Sequence, residues 1–263
     1  SQIGAASQYQ AVAVAEDGSI YAAAQSAAAY RGAVIGDMDV VLTKFTSAGA
    51  EVWSRRFGST ASDSPYGVAI DPQSRVYVAG MTGGNIGAAP NGLDLFVKGF
   101  DTRGNDIFTW QKAAVDNDEV RGFVFDPVTS AMYLAFRSTP KGTSGVYRLT
   151  ADGNASLFLS SDTEIYGSIG VGVDGGLVVA SSKTVSTQVG PATDTEKDTI
   201  VTLYTPNGRV VWSQTLDFVA PSNASTIYAG LSDDVPMDVA VAADGTVTVV
   251  GNVSAAGRVV VEM

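Results

Sequence analysis

The stretch DMDVVLTKFTSAGAEVWSRRFG, residues 37–58, reads as two short strands about a glycine turn. Its skeleton returns as LDLFVKGFDTRGNDIFTW at 93–110 and KDTIVTLYTPNGRVVWSQTL at 197–216. Aligned on the aromatic Phe45, the counterparts are Phe100, Leu149, Tyr204 and Met263. Six residues earlier stand Asp39, Asp94, Thr143, Asp198 and Gly257. Four residues later come Gly49, Gly104, Gly153 and Gly208, and four beyond those Trp53, Phe108, Leu157 and Trp212. The unit is an acid, an alternating apolar strand, a glycine turn, and a strand carrying a large apolar residue.

A second hairpin separates these units: AVAVAEDGSIYAAA (11–24), GVAIDPQSRVYVAG (67–80), GFVFDPVTSAMYLAF (122–136), GSIGVGVDGGLVVAS (167–181) and DVAVAADGTVTVVGN (238–252). Each pairs period-two apolar strands across a turn rich in Asp, Gly or Pro, and no stretch sustains a 3.6-residue apolar period. The chain is therefore read as all-β. Two hairpins make four strands, and the equivalent positions Tyr21, Tyr77, Tyr133, Val178 and Thr248 are 56, 56, 45 and 70 residues apart. Four-stranded units in series predict a β-propeller of antiparallel blades, five in number. The blades fall at roughly 10–58, 66–112, 121–161, 167–217 and 237–263, in a single domain over 1–263. Residues 1–6, whose SQIG aligns with SRRF and SQTL of outer strands, are expected to supply the outer strand of the last blade. The other reading is a segment of a longer array with six or more blades.

The run DVVLTKFTSAGAEVWSRRFGSTASDSPYGVAIDPQSRVYVAGMT, residues 39–82, resembles the SBBP (β-propeller) repeats of secreted and cell-surface proteins. The resemblance is close over the first two blades, about 37–112, and weakens afterwards; the third blade lacks the Asp and the Trp. It implies a propeller exposed outside the cell or at its surface, and brings no catalytic residues with it.

Composition narrows the chemistry. The 263 residues carry a net charge of −11, no histidine and no cysteine. Disulfides, thiolate metal sites and any Ser-His-Asp or Cys-His mechanism are excluded. The acidic balance argues against nucleic acid, whose binding needs Lys and Arg on phosphates. No run approaches the ~18 apolar residues of a membrane span, so no membrane insertion is expected.

With strands lettered A to D from the inner edge outward, A–B and C–D turns lie on one face and B–C and D–A loops on the other. The second set is long, and binding is expected there. An acid tends to precede strand A: Asp63, Asp118 (followed by Glu119) and Asp234, with Asp162 and Glu164 near the equivalent place and Ser7 in the first blade. One reading is an acidic ring able to hold a cation, calcium suiting its oxygen ligands; the other is local capping of backbone N–H groups. Asp39, Asp94 and Asp198 read as turn-formers, and Trp53 and Trp212 as inter-blade packing. GVGVDG at 170–175 mimics a dinucleotide fingerprint but is followed by a strand. Sequons at Asn154, Asn223 and Asn252 lie in predicted loops and are the glycosylation candidates. Lys44, Arg55 and Arg56 are residues of the opening stretch not shared between blades.

The function expected from these features is a non-enzymatic extracellular or cell-surface propeller, a structural or adhesive module. It would meet a protein or glycan partner, or itself, through the long-loop face, without a cofactor. The alternatives are a carbohydrate-binding propeller and a glycoside hydrolase drawing on Asp118, Glu119, Glu164 and Asp234.

Overall fold

The computed structural model describes residues 7–29, 32–90, 92–112, 115–189, 192–216, 234–253 and 257–262. Their regular structure is all strand, arranged in five antiparallel sheets. The first sheet holds β1 (Ser7–Val14), β2 (Ile20–Ser26), β3 (Asp39–Phe45) and β4 (Glu51–Phe57). The second holds β5 (Asp63–Ile70), β6 (Val76–Thr82), β7 (Asp94–Phe100) and β8 (Asp106–Lys112). The third holds β9 (Asn117–Asp126), β10 (Ala131–Thr139), β11 (Ser144–Thr150) and β12 (Ala155–Ser161). The fourth holds β13 (Glu164–Val171), β14 (Leu177–Val189), β15 (Ala192–Tyr204) and β16 (Val210–Leu216). The fifth pairs β17 (Asp234–Val241), β18 (Val247–Val253) and β19 (Gly257–Glu262). In every sheet the strands follow chain order, which is the blade topology read from the repeat. The fourth strand expected from residues 1–6 lies outside the described residues.

The hairpins form where the sequence places a residue free to adopt positive φ. In the A–B and C–D turns, Gly18, Gly49, Gly104, Gly153, Gly175, Gly208 and Gly245 all have φ between 78 and 90°. Glycine adopts that backbone without a Cβ penalty. Ser74 and Ser130 fill the corresponding turns of the second and third sheets at φ 58 and 54°. An acid often finishes the turn: Asp71 accepts from the N–H groups of Gln73 and Arg75, and Asp101 from those of Arg103 and Asn105.

The chain forms two compact units, one of Ser1–Lys141 with Tyr147–Leu157, the other of Gly142–Val146 with Phe158–Met263. In the first, successive sheets pack face to face. Tyr21, Ala23, Val40, Leu42 and Phe57 of the first sheet meet Val76, Val78, Phe96 and Phe100 of the second. Phe57 lies edge-on to Phe96, ring centroids 5.9 Å apart, and 5.4 Å from Phe100. One repeat later, Tyr77, Ala79, Leu95 and Val97 meet Met132, Leu134, Phe136 and Leu149. In the second unit Val178, Ala180, Val201 and Leu216 meet Val239, Val247 and Val249. Period-two alternation thus gives each strand two apolar faces, one for each neighbouring sheet.

The outer strand also grips the following sheet. The Trp53 indole N–H donates to the Thr102 carbonyl at 3.1 Å, and Arg55 Nε to that of Gly104 at 2.7 Å. Trp53 and Arg55 therefore lock the first sheet onto the C–D turn of the second.

Candidate functional site

The acids that precede strand A are placed by a contact repeated at each junction of the first unit. The Asp63 N–H donates to the Met38 carbonyl at 2.7 Å, and the Asp118 N–H to that of Leu93, also at 2.7 Å. Each bond ties the start of an A strand to the residue preceding the C strand of the sheet before it. The carboxylate then turns inward, and both side chains are completely buried.

Asp63 accepts from the Ser59 N–H at 2.6 Å, from the Ser59 hydroxyl, and from the Thr82 hydroxyl. Asp39 lies close by: a Cβ on Gly58 would meet Asp63 Oδ2 at 2.5 Å and Asp39 Oδ1 at 3.0 Å. Asp39 takes the N–H groups of Ile35 and Gly36 and an Arg56 guanidinium N–H at 2.6 Å. Arg56, expected to be available for something particular, is instead buried in this junction, donating also to the carbonyls of Ser26 and Ala28.

The next junction repeats the pair with other donors. Asp118 accepts from Lys112 Nζ at 2.7 and 2.8 Å and from the Ser138 hydroxyl, while Asp94 takes the Gln111 amide at 2.8 Å. The Gln111 carbonyl in turn accepts from the N–H groups of Ile86, Gly87 and Ala88 at 3.0–3.1 Å, stitching down the long B–C loop of the second sheet. Burial pushes the Asp63 carboxyl up, with the Asp39 charge adding to it and the hydrogen bonds opposing. Burial likewise pushes Asp118 up, against the pull of Lys112 and Ser138.

Asp63 and Asp118 therefore point into the protein with their acceptor capacity engaged by internal donors, which suits a scaffold rather than a ring of cation ligands. Among the described residues no three or more acidic side chains are grouped to hold a metal. In the second unit Glu164 accepts from the Ser181 hydroxyl at 2.8 Å, and Asp162 from that of Thr143 at 3.0 Å. The side chain of Asp234 and the whole of Asn223 lie outside the described residues. Asn154 is exposed in the β11–β12 turn, its amide on Asp152. Asn252 corrects the expectation of a loop: it sits in β18, paired with Val235 on one side and Arg258 on the other. The Gly-Asn-Val run continues the alternation of the strand past its apolar core.

Glu119 follows Asp118 and faces the other way. Its side chain is 45% exposed and ion-paired with Arg121, which is 34% exposed and keeps a buried Nε–H without an acceptor. On the neighbouring inner strands, the Tyr66 hydroxyl donates to the Arg121 carbonyl at 2.9 Å, and the Ser64 hydroxyl to Gln10 at 3.0 Å. Gln10 donates onward to Gln25. Gln10, Ser64, Tyr66, Glu119 and Arg121 thus form a polar belt across three A strands, with the ring of Tyr66 half-exposed. Of these only Glu119 was a candidate in the sequence. The signal for the others was parity: Ser64 and Tyr66 alternate with buried Asp63 and Pro65, and Glu119 and Arg121 with buried Asp118 and Val120.

Comparison with known proteins bears on the fold. Residues 52–87 match the β-propeller repeat family, SBBP. This stretch is a propeller repeat. No curated protein matches the chain. Among solved structures it is similar to the α-L-arabinanase of Penicillium chrysogenum complexed with arabinobiose, at 11% identity and TM-score 0.54, over 94% of this chain and 77% of that one. It is similar to an α-L-arabinofuranosidase of Fusarium graminearum complexed with an iminosugar inhibitor, at 10% identity and TM-score 0.53, covering 97% and 80%. A puromycin hydrolase aligns at 13% identity and TM-score 0.56 over all of this chain and 37% of its own. At such identity the likeness shows a propeller and nothing finer. The solved propellers the chain is similar to are mostly named as enzymes, so the expectation of a structural or adhesive module is not upheld.

Proposed function

We propose that the A-strand belt is a recognition site for a small hydroxylated molecule of the saccharide class. The observation that carries this reading is the convergence of Gln10, Ser64, Tyr66, Glu119 and Arg121 on one exposed edge of three adjacent strands. Amide, hydroxyl, carboxylate and guanidinium groups match the donors and acceptors of a polyol, and a half-exposed tyrosine ring offers a stacking face. Two of the similar propellers are complexed with a disaccharide or an iminosugar, which supports the ligand class.

The belt contributes one exposed carboxylate. Glycoside hydrolysis draws on two, about 5–10 Å apart, one acid and one nucleophile or base. Asp63 and Asp118 are committed to the junctions, so Glu119 is the carboxylate that the belt offers to its ligand. The likeness of the repeat to those of secreted and cell-surface proteins supports an action outside the cell or at its surface, with a glycan as the partner.

Isothermal titration with arabinobiose and a panel of pentoses, hexoses and uronates tests the reading. Saturable binding by at least one sugar is expected, weakened about tenfold or more by Arg121→Ala and by Tyr66→Ala. Absence of binding up to about 10 mM, where affinity falls below ~3 kcal/mol, sinks it. Release of free monosaccharide from the disaccharide would show that the site cleaves.

A further inference from the structure

The opposite ends of the same A strands enclose a second concavity that the saccharide reading does not use. Its volume is about 260 Å³, and its walls come from three successive sheets: Val14 and Glu16, Ile70 with Asp71 and Pro72, and Phe125. It lies four to six residues along the strands from the belt, roughly 13–20 Å at ~3.3 Å per residue.

The lining is mixed: aliphatic and proline carbons and Phe125, whose ring stacks on Tyr77 with centroids 6.4 Å apart, share it with Glu16, Asp71 and Ser74. The charge at the cavity is negative and unevenly balanced. Asp71, completely buried, already holds Arg75 Nε at 2.5 Å and the Tyr77 hydroxyl at 2.9 Å. The nearest guanidinium is therefore committed to the wall. Glu16 stands exposed at the rim with no ion pair or hydrogen-bond donor among the described residues. Carbon walls beside an uncompensated carboxylate at the mouth favour a molecule with a carbon body and a single positive charge. Its carboxylates disfavour anions.

We infer that this cavity is a second binding site, selective for a small organic ammonium ion with an aryl or alkyl body. The ammonium sits against Glu16 at the rim, and the body fills the space between Ile70 and Phe125. The site is independent of the belt.

Phenethylammonium and its neutral counterpart 2-phenylethanol are the probes, compared on the full chain by saturation-transfer NMR and titration calorimetry. The ammonium is expected to bind about fivefold tighter than the alcohol, the difference one partly exposed ion pair supplies. Glu16→Gln, at an exposed position that leaves folding intact, should reduce the ammonium to the affinity of the alcohol. Arg121→Ala should change nothing here. The inference is overturned if neither probe binds, if both bind equally to the unaltered chain, or if Glu16→Gln leaves the preference intact. Loss of ammonium binding in Arg121→Ala would also overturn it, by moving the ligand to the belt.

Discussion

The first two sheet junctions carry the same pair of buried acids and solve the charge problem at different atoms. Between the first and second sheets the cation, Arg56, sits on the C-strand acid Asp39, and Asp63 is left with hydroxyl and amide donors alone. Between the second and third sheets the cation, Lys112, sits on the A-strand acid Asp118, and Asp94 takes the amide of Gln111. Aligned on the outer strand, Arg56 corresponds to Gln111 and Phe57 to Lys112. Each junction thus holds two carboxylates and one cation, but the cation has moved one residue along the chain. A junction requires a net charge it can bury, and it accepts that charge from either of two adjacent outer-strand residues.

If that account holds, removing the cation is the most damaging change. Lys112→Met leaves Asp118 buried without its partner and is expected to cost about 3–5 kcal/mol in urea unfolding. Arg56→Met should cost at least as much, because Arg56 also satisfies two carbonyls. A loss below ~1 kcal/mol at either position would mean the cation is dispensable and the equivalence of the junctions empty.

The pH dependence reads the buried A-strand acids of both junctions, each raised by burial. Asp63 has a folded pKa raised above its unfolded value. The neutral acid is thus the form the folded state favours. Its contribution is fully present below the ordinary carboxylate range and is lost as pH rises through the raised value. Melting temperature should therefore climb as pH falls through the raised value toward the ordinary carboxylate range. Asp63→Asn, which keeps an acceptor and abolishes its titration, should reduce that climb and leave the share that Asp118 contributes. An unchanged slope in the variant would assign the effect to other groups.

The smallest expected effect is at the turns. Ser74 occupies a left-handed position that the first, fourth and fifth sheets give to glycine. Ser74→Gly removes the Cβ strain at the cost of chain entropy, for a net gain of up to about 1 kcal/mol by thermal unfolding. A loss instead would show that the serine side chain contributes more than its backbone costs.

Much of the architecture was legible in the residues. Alternation over four to eight residues and Asp-Gly turns at regular offsets dictate antiparallel hairpins, and repetition of their skeleton dictates blades. These are short-range signals, so a single chain displays them. The meaning of the acids was less accessible. Asp63, Asp118 and Glu119 look alike in sequence, yet two are locked between sheets and one faces solvent. Parity within each strand separated them in principle, since Asp118 alternates in step with Val120 and Glu119 in step with Arg121. Asn252 shows the converse, a polar residue read as loop that the ladder carries into a strand.

Strand, turn and blade were set by local chemistry, which the sequence alone determines: β-branched alternation, positive φ at glycine, a capping acid. Which carboxylate is buried, which cation it receives and which side chains meet along the A-strand edge were decided by tertiary structure. Those outcomes depend on residues some 20 to 55 positions apart arriving at one place, such as Ser138 on Asp118 and Tyr66 on Arg121. A period of two fixes the face of a strand, but only the neighbouring sheet fixes what that face touches.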